Sequence, residues 1–532
     1  MFKKLIVYLV IIIVSLFTVY KASVAYNTFI DNNIPVYDGV TYEKKQIEQF
    51  IRFKDNFSLW KRMTEINYQL PMNTVDGGFV SFLILVNPAW LANDWDVLVR
   101  SFLSVLIFSF TLFHFLSYIS ESKVTRVLIV VLILQFPLFY SERYGLASYI
   151  AEIPSALLLL SGYLQVLIFY RNKSLFNLLF GLTLMVIPMF FRLNFAIYTS
   201  IFLIPLFFLC LKNLRTFSFW KNSIVFIYST VLLVVAAFYF IEYFEYFIGY
   251  YVKKEIAWEG HGNLSNSIIY FVNNVYHQIG LIGFFSFVFI ISLISLKKEQ
   301  SFSYPKYLLV YPFLTQFFVI IIVGKTVNVP HVITAISLSI LLTLITIRIK
   351  KQIIFKSKQL ILLALFFIAT FNFSFYRDMK KLEQTLPEYK ASYGAVQFIH
   401  SHKLIQPDFN YISFVDDVAE VPIDIALYKK GKVYLKSQDH FYYHDYGWYH
   451  NIDKKMKATT CLNHYLNKID HQEFDLILMD EGINKDLEQY PFSKSIHTKV
   501  RSYLSKSPKY KVIHTDRTEL NGEIKYYAKV LE

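Results

Sequence analysis

Cysteine is nearly absent: the 532 residues hold two, Cys210 in an apolar run and Cys461 in the polar C-terminal stretch. One free thiol in each of these two settings makes neither a disulfide framework nor a zinc site. There is no internal repeat and no low-complexity tract. Without a repeat, no pair of Gly- or Pro-interrupted runs falls at corresponding positions of two halves, so the usual marks of a secondary transporter are missing. Glycine is scarce, 17 residues, while Lys, Ile, Phe and Tyr abound, as in proteins from AT-rich bacterial genomes.

What the chain does have is apolar residue, 55% of the total, with a mean hydropathy of +0.40. Soluble domains are nearer 45–50% apolar. The excess lies in runs long enough to cross a hydrocarbon core of ~30 Å as helix. There are 52 Phe and 40 Tyr, and Tyr favours the membrane–water interface. A net charge of +14 would suggest nucleic acid in a soluble protein; here basic cytoplasmic loops explain it better.

The expected fold is a polytopic all-α transmembrane protein with a C-terminal soluble α/β domain. The expected spans are 5–23, 97–119, 126–141, 148–170, 174–191, 194–211, 222–241, 277–296, 307–323, 332–349 and 359–376. With Lys3 and Lys4 in the cytoplasm, the cytoplasmic loops carry Lys123 and Arg126; Arg171 and Lys173; Lys212, Arg215 and Lys221; Lys297, Lys298 and Lys306. The last carries Arg348, Lys350, Lys351, Lys356 and Lys358. The short loops between them hold few basic residues, which is the positive-inside pattern. The opening MFKK and its apolar stretch fit a signal peptide or a first helix. KASVAYN is a weak cleavage pattern, and an uncleaved anchor suits the span count better.

Residues 1–376 then form the membrane module, with a first outward loop at 24–96, and 377–532 form the outward domain. A further outward loop covers 242–276. The tail alternates strand-like segments (ISFVDDV, KVYLKS, FDLILMD, KYKVIH, IKYYAKVLE) with helical ones such as 378–402.

The first outward loop is long for a connection. It carries an amphipathic pattern over 41–66 that suits a helix lying in the interface plane. It opens with IPVYDGVTYEKKQIEQF, so Asp38 falls near the outer membrane surface. Glu152 stands at the outer end of the fourth span, and Arg192 ends the fifth. With Arg143, Lys325 and His331 they can ring one outward-opening cavity. Carboxylates beside basic groups suit a site that takes a proton while clamping a phosphate. Each residue also has a plainer reading. Asp38 suits the N-cap of a helix from Val40. Glu152 suits a solvated interfacial residue, and Arg192 an interfacial anchor. Arg143, Lys325 and His331 suit ordinary loop residues, and Arg100, opening the second span, suits a snorkelling anchor. His440, His444, Asp445 and His450 have metal-like spacing but sit in HFYYHDYGWYH, which suits a packed aromatic loop better.

Taken in order, these segments resemble the GT-C superfamily of membrane glycosyltransferases, which use polyprenyl-phosphate-linked sugars and include lipid A aminoarabinose transferase and the protein O-mannosyltransferases. PVYDGVTYEKKQIEQF is similar to the family's first-loop acid and interfacial helix. GGFVSFLILVNPAWLANDWDVLVRSFLSVLIFSFTLFHFL is similar to its short apolar helix, acidic–aromatic turn and span-opening Arg. SERYGLASYIAEIPSALLLL, FRLNFAIY and GKTVNVPHVITAIS resemble its acid-Pro span opening, its basic outer end and its late outward loop. Two departures stand out. The family's Asp-Glu pair is here Asp38-Gly39, which leaves Glu43 or Glu152 as second carboxylate. Lys325 and His331 stand where Arg and Tyr are more usual.

The resemblance implies a GT-C-like module of about eleven helices and an inverting transfer. Asp38 is the implied base and Glu152 orients the acceptor or holds a cation. Arg192, Lys325, Arg143 and His331 are the implied lipid-phosphate residues, with Tyr42 and Glu43 supporting the acceptor. The implied donor is an undecaprenyl-type phosphate sugar. The implied acceptor is an envelope glycan such as lipopolysaccharide, a lipid or a protein; nucleic acid has no part. Members differ in metal use, so no metal site is assigned and a divalent cation is left open. The implied location is the bacterial inner membrane, multi-pass, with the N-terminus cytoplasmic and the C-terminal domain periplasmic or extracellular. Competing readings are an O-antigen polymerase or ligase, whose large outward loop lies between late spans, a lipid or sugar transporter without chemistry, and a scaffold that presents the tail.

Overall fold

The computed structural model describes residues 2–33, 43, 47, 95–118, 123–135, 137–140, 145–147, 152–191, 195–214, 217–242, 369, 372–373, 375–402, 404, 409–415, 423–424, 426–428, 458–480, 491–519 and 522–530. The chain splits into two compact units. A helical unit takes Met1–Tyr26, Gln46–Lys254 and Trp258–Arg377, and a C-terminal unit takes Asn27–Lys45, Glu255–Ala257 and Asp378–Glu532.

The helical unit is built from α1 (Phe2–Asn32), α2 (Trp95–Ser117), α3 (Lys123–Ile133), α4 (Glu152–Asn172), α5 (Leu175–Phe191), α6 (Phe195–Leu214) and α7 (Phe219–Glu242). Among the described residues, four helices are long and apolar enough to cross a membrane: Leu5–Asn32, Val97–Ser117, Glu152–Asn172 and Phe219–Ala237. The expected third span, 126–141, is not one crossing helix. Helix α3 has 11 residues, about 16 Å of rise, and gives way to a turn and a 3₁₀ segment at Pro137–Tyr140. Pro137 lacks the N–H that would continue the ladder. Helix α1 runs past the expected end at 23, and its final residues belong to the C-terminal unit. The weak cleavage pattern lies inside this helix, with Ala22, Ala25 and Tyr26 buried. The four later expected spans, 277–376, fall almost wholly outside the described residues.

Helix α4 is the centre of the unit: 94% of its apolar window is buried, against 6% for α7, whose Phe226, Ile227 and Leu233 stay exposed. Two residues, Lys173 and Ser174, turn α4 back into α5, with Lys173 at φ 55°. The pair packs closely because Gly162 and Gly181 face each other. A Cβ on Gly162 would lie 2.6 Å from the Gly181 carbonyl oxygen and 2.5 Å from Met185 Cγ. Small residues at such crossings are what let helices approach in a membrane.

The C-terminal unit holds a four-stranded sheet in the order β1-β2-β4-β3, with β1 Tyr411–Phe414, β2 Leu476–Asp480, β3 Tyr510–Thr518 and β4 Gly522–Lys529. Strand β1 is parallel to β2, and β4 is antiparallel to both its neighbours. Alternate side chains face opposite cores, as the strand period demands. Tyr411, Leu476, Leu478, Ile524 and Tyr526 pack with α8 (Lys390–Ser401). Ile412, Phe414, Ile477, Met479 and Tyr527 pack with α9 (Ala458–Asp470) and α10 (Pro491–Leu504). The result is a three-layer α/β/α arrangement. The expected helical stretch 378–402 is divided: the helix over 375–382 ends, a 3₁₀ turn begins at Pro387, and α8 follows. The end of α1 joins this unit through Asn33, which donates to the carbonyls of Leu382 and Gln384 (3.4 and 3.3 Å) and accepts from Leu386 N–H at 2.7 Å. The expected strand KVYLKS lies outside the described residues.

Candidate functional site

Helix directions decide which polar groups share a level in the helical unit. Helices α1 and α2 are antiparallel: Tyr8 packs edge-on against Phe110 and Phe113, and the Ser15 hydroxyl meets that of Ser109 at 3.5 Å. Lys21, almost two turns beyond Ser15, therefore comes level with the first turns of α2. Helices α2 and α4 are parallel. The Ser101 hydroxyl donates to the carbonyl of Leu146, just before α4, and Gln165 Nε2 donates to Thr111 Oγ1 at 3.1 Å further along. Arg100 and Glu152 thus stand at one end of the unit. Helix α6 also runs with α4. Its Phe202 packs on Tyr163 at 5.3 Å, and Thr199 Oγ1 donates to Met185 O on α5 at 2.8 Å.

These directions put Lys21, Arg100 and Glu152 toward the same end of the unit, at 4%, 4% and 2% exposure. Tyr198, 1% exposed, comes level with the middle of α4 instead, since Thr199 and Gly162 both meet Met185. Buried ionisable groups in membrane helices are costly and usually functional. Lys21 is caged. Its Nζ donates to Asn372 Oδ1 at 3.0 Å and Gln135 Oε1 at 3.4 Å, and lies 4.6 and 4.5 Å from the ring centroids of Tyr140 and Phe375. Amide oxygens and ring faces offset part of the lost hydration of the ammonium. Glu152 is the first residue of α4, so its carboxylate sits where the helix dipole favours negative charge. The Tyr198 hydroxyl is buried and makes no hydrogen bond among the described residues.

Of the residues expected from the sequence, Glu152 belongs to the helical unit and is buried. Glu43, 1% exposed, belongs to the C-terminal unit. Asp38, Tyr42, Arg143, Arg192, Lys325 and His331 lie outside the described residues, as does the histidine-rich stretch 440–450. Arg100 is not a snorkelling anchor: its side chain is buried within the helical unit. The sequence reading passed over Lys21 and Tyr198. Lys21 was placed in a cleavage pattern at the end of a shorter span, and extending α1 to Asn32 makes it a buried cation within a long apolar helix. Tyr198 is one of 40 tyrosines and carries no local signature.

In the C-terminal unit the buried polar groups pair locally. His497 Nε2 and Asp480 Oδ1 meet at 2.7 Å, and the Tyr411 hydroxyl donates to Asp424 Oδ1 at 2.8 Å. Among the described residues no three His, Cys, Asp or Glu side chains gather as a metal site. Comparison with protein-family models and with curated protein sequences finds no match to the chain.

Proposed function

We propose that the chain is a GT-C-type inverting glycosyltransferase that moves a sugar from a polyprenyl phosphate to an acceptor on the outer face of a bacterial inner membrane. The observation that carries this reading is the gathering of Lys21, Arg100 and Glu152 toward one end of the helical unit. In the eleven-span topology drawn from the loop charges, that end is the outward one, since α1 leaves the cytoplasm and α2, α4 and α6 return to it. The C-terminal unit is then periplasmic or extracellular.

The reaction uses groups suited to each role. Asp38 accepts the proton of an acceptor hydroxyl or amine. The freed lone pair attacks the anomeric carbon, the bond from that carbon to the phosphate oxygen breaks, and polyprenyl phosphate leaves with inversion. Charge develops on the phosphate, and stabilising it is the largest task. Arg192, Lys325, Arg143 and His331 serve it, with Lys21 and Arg100 adding positive charge. Glu152 orients the acceptor or holds a cation, and Tyr42 and Glu43 support the acceptor.

The test is sugar transfer in membranes carrying the wild-type chain or Asp38→Asn. The donor is the total lipid-linked sugar fraction, and envelope glycans are read by mass spectrometry. A hexose- or pentose-sized addition is expected with wild type, with a loss of at least ~100-fold in Asp38→Asn at equal expression. Identical profiles reject the reading.

A further inference from the structure

The end of the helical unit opposite Lys21, Arg100 and Glu152 carries a different set of groups. Helix α4 ends there and α5 begins. Helix α7 begins there too, because Phe169 on α4 packs edge-on against Phe217, just before α7, at 5.7 Å between centroids. Thr183 on α5 and Tyr228 on α7, at matching depths in their helices, share a hydrogen bond, so the two helices leave this end together.

Charge and aromatic area meet at this end. Between Glu152 and Glu242 the sequence has no Asp or Glu, while Arg171, Lys173, Lys212, Arg215 and Lys221 fall in or beside the α4–α5 and α6–α7 turns. Lys221 Nζ lies 5.6 Å from the Phe217 ring centroid, and Lys173 Nζ 5.0 Å from that of Tyr170. The ring faces steady both ammonium groups, and both lysines stay exposed. Phe169 ties the two together: its carbonyl accepts from Lys173 N–H at 2.8 Å, and its ring meets Phe217. Beside Lys221 stand Phe219 and Trp220, 77% and 76% exposed.

Lys173 has a φ of 55°. The left-handed position after a helix usually falls to glycine, because a Cβ is strained there. The chain keeps a strained lysine where glycine would relax the turn, which marks the side chain as the reason for the residue.

The chemistry of this end selects its partner. An exposed Phe-Trp pair suits the depth at which head groups meet acyl chains. Cations clustered beside it attract the phosphates of anionic lipids. An acidic segment of a soluble partner would meet the lysines but has no use for rings at that depth. We propose that this end binds anionic phospholipid head groups, with Lys173 and Lys221 meeting the phosphates and Phe219 and Trp220 lying among the upper acyl carbons. In the topology drawn above it faces the cytoplasmic leaflet. The inference needs the membrane-spanning reading and is independent of sugar transfer.

The test uses the full-length chain in detergent. Retention of added phosphatidylglycerol against phosphatidylcholine is read by native mass spectrometry, and thermal unfolding is measured without lipid. Wild type should prefer phosphatidylglycerol. Lys221→Gln and Lys173→Gly should each lower that preference about fivefold, and the double variant on the order of twentyfold, with Tm in lipid-free detergent unchanged within about 2 °C. Lys511→Gln with Arg517→Gln removes the same charge from exposed positions of β3 and should leave the preference intact. Equal retention of the two lipids by wild type, a preference that survives the double substitution, or an equal loss in the β3 variant overturns the proposal. A Tm lowered by several degrees also overturns it, because the lysines then hold the fold. Displacement of the lipid by soluble glycerol phosphate at matched concentration assigns the site to a free anion and overturns the lipid as partner. A chain that transfers no sugar but keeps the preference overturns the transferase reading alone.

Discussion

Tyr411 and Tyr526 in the C-terminal unit and Tyr198 in the helical unit are buried alike, at 0%, 0% and 1% exposure, yet they are bonded differently. Tyr411 donates to Asp424 at 2.8 Å and Tyr526 to Asp516 at 2.7 Å. The Tyr198 hydroxyl has no partner among the described residues. The first two explain themselves as structure: each satisfies a carboxylate and joins two segments of one domain. Tyr198 has no such local account. Buried phenols in the C-terminal unit are paired within the fold, whereas the Tyr198 hydroxyl in the helical unit is not paired among the described residues.

The largest effect tests the frame that holds the helical unit together. Gly162→Leu drives a side chain into the Gly181 carbonyl and Met185, and backbone cannot yield as a flexible side chain does. We expect a loss of ~3 kcal/mol or more, read as failure to purify as a monodisperse species. A variant as stable as wild type would show that α4 and α5 do not pack face to face. Next comes His497→Ala in the other unit. Asp480, 1% exposed, loses the ring nitrogen held at 2.7 Å. Breaking a buried pair of this kind costs about 3 kcal/mol. Hydrogen exchange across β2 and α10 should rise while exchange across α4 does not. Equal loosening in both would contradict their division into separate units.

The paired tyrosines give a smaller effect with a defined pH range. Tyr411→Phe removes a hydrogen bond to a carboxylate that is fully buried, worth ~2 kcal/mol. Tyr510, which donates to the Phe474 carbonyl at 2.9 Å, has its phenol pushed up to about 12, chiefly by burial. Burial also pushes the Tyr526 phenol up, with Asp516 adding to it. A phenol whose folded-state value is raised contributes stability that is complete below its unfolded value near 10 and is lost as pH rises. The C-terminal unit should therefore weaken between pH ~10 and about 12, and Tyr510→Phe should flatten that slope in a far-ultraviolet circular dichroism titration. A slope that the substitution leaves intact would assign the alkaline loss to other groups.

Much of the architecture was legible because single-segment patterns carry it. The apolar runs at 97–119, 148–170 and 222–241 became helices since nothing nearby competes with the run itself. FDLILMD became a central strand because both of its faces meet a core, which a continuous apolar run marks. Where the reading failed, a partner distant in sequence decided the outcome. Helix α1 continues to Asn32 because Phe29 packs on Tyr389 and Asn33 bonds to the 382–386 turn. No pattern in residues 20–33 announces contacts some 350 positions away. Pro137 and Pro387 end helices that apolar periodicity alone would carry onward. The candidate site divides in the same way. Glu152 was visible as an acid interrupting an apolar stretch. Lys21 was not, since the length of α1 places it, and that is a property of packing.

The smallest expected effect is the sharpest test of the contrast between the two units. Tyr198→Phe deletes an oxygen that bonds to nothing among the described residues, so the variant is expected to lose no hydrogen bond and to shed a desolvated polar atom. Its stability should lie within about 0.5 kcal/mol of wild type or above it, set against the ~2 kcal/mol lost by Tyr411→Phe. Both substitutions remove one hydroxyl from a fully buried ring, so their side-chain transfer terms are nearly matched and the difference isolates the partner. Parallel denaturant titrations of the full chain, read by hydrogen exchange in α6 and in β1, give the two values together. Equal losses would mean that Tyr198 is satisfied within the fold as Tyr411 is. A neutral Tyr198→Phe beside a costly Tyr411→Phe would show that a buried hydroxyl stabilises this protein only where it has a partner.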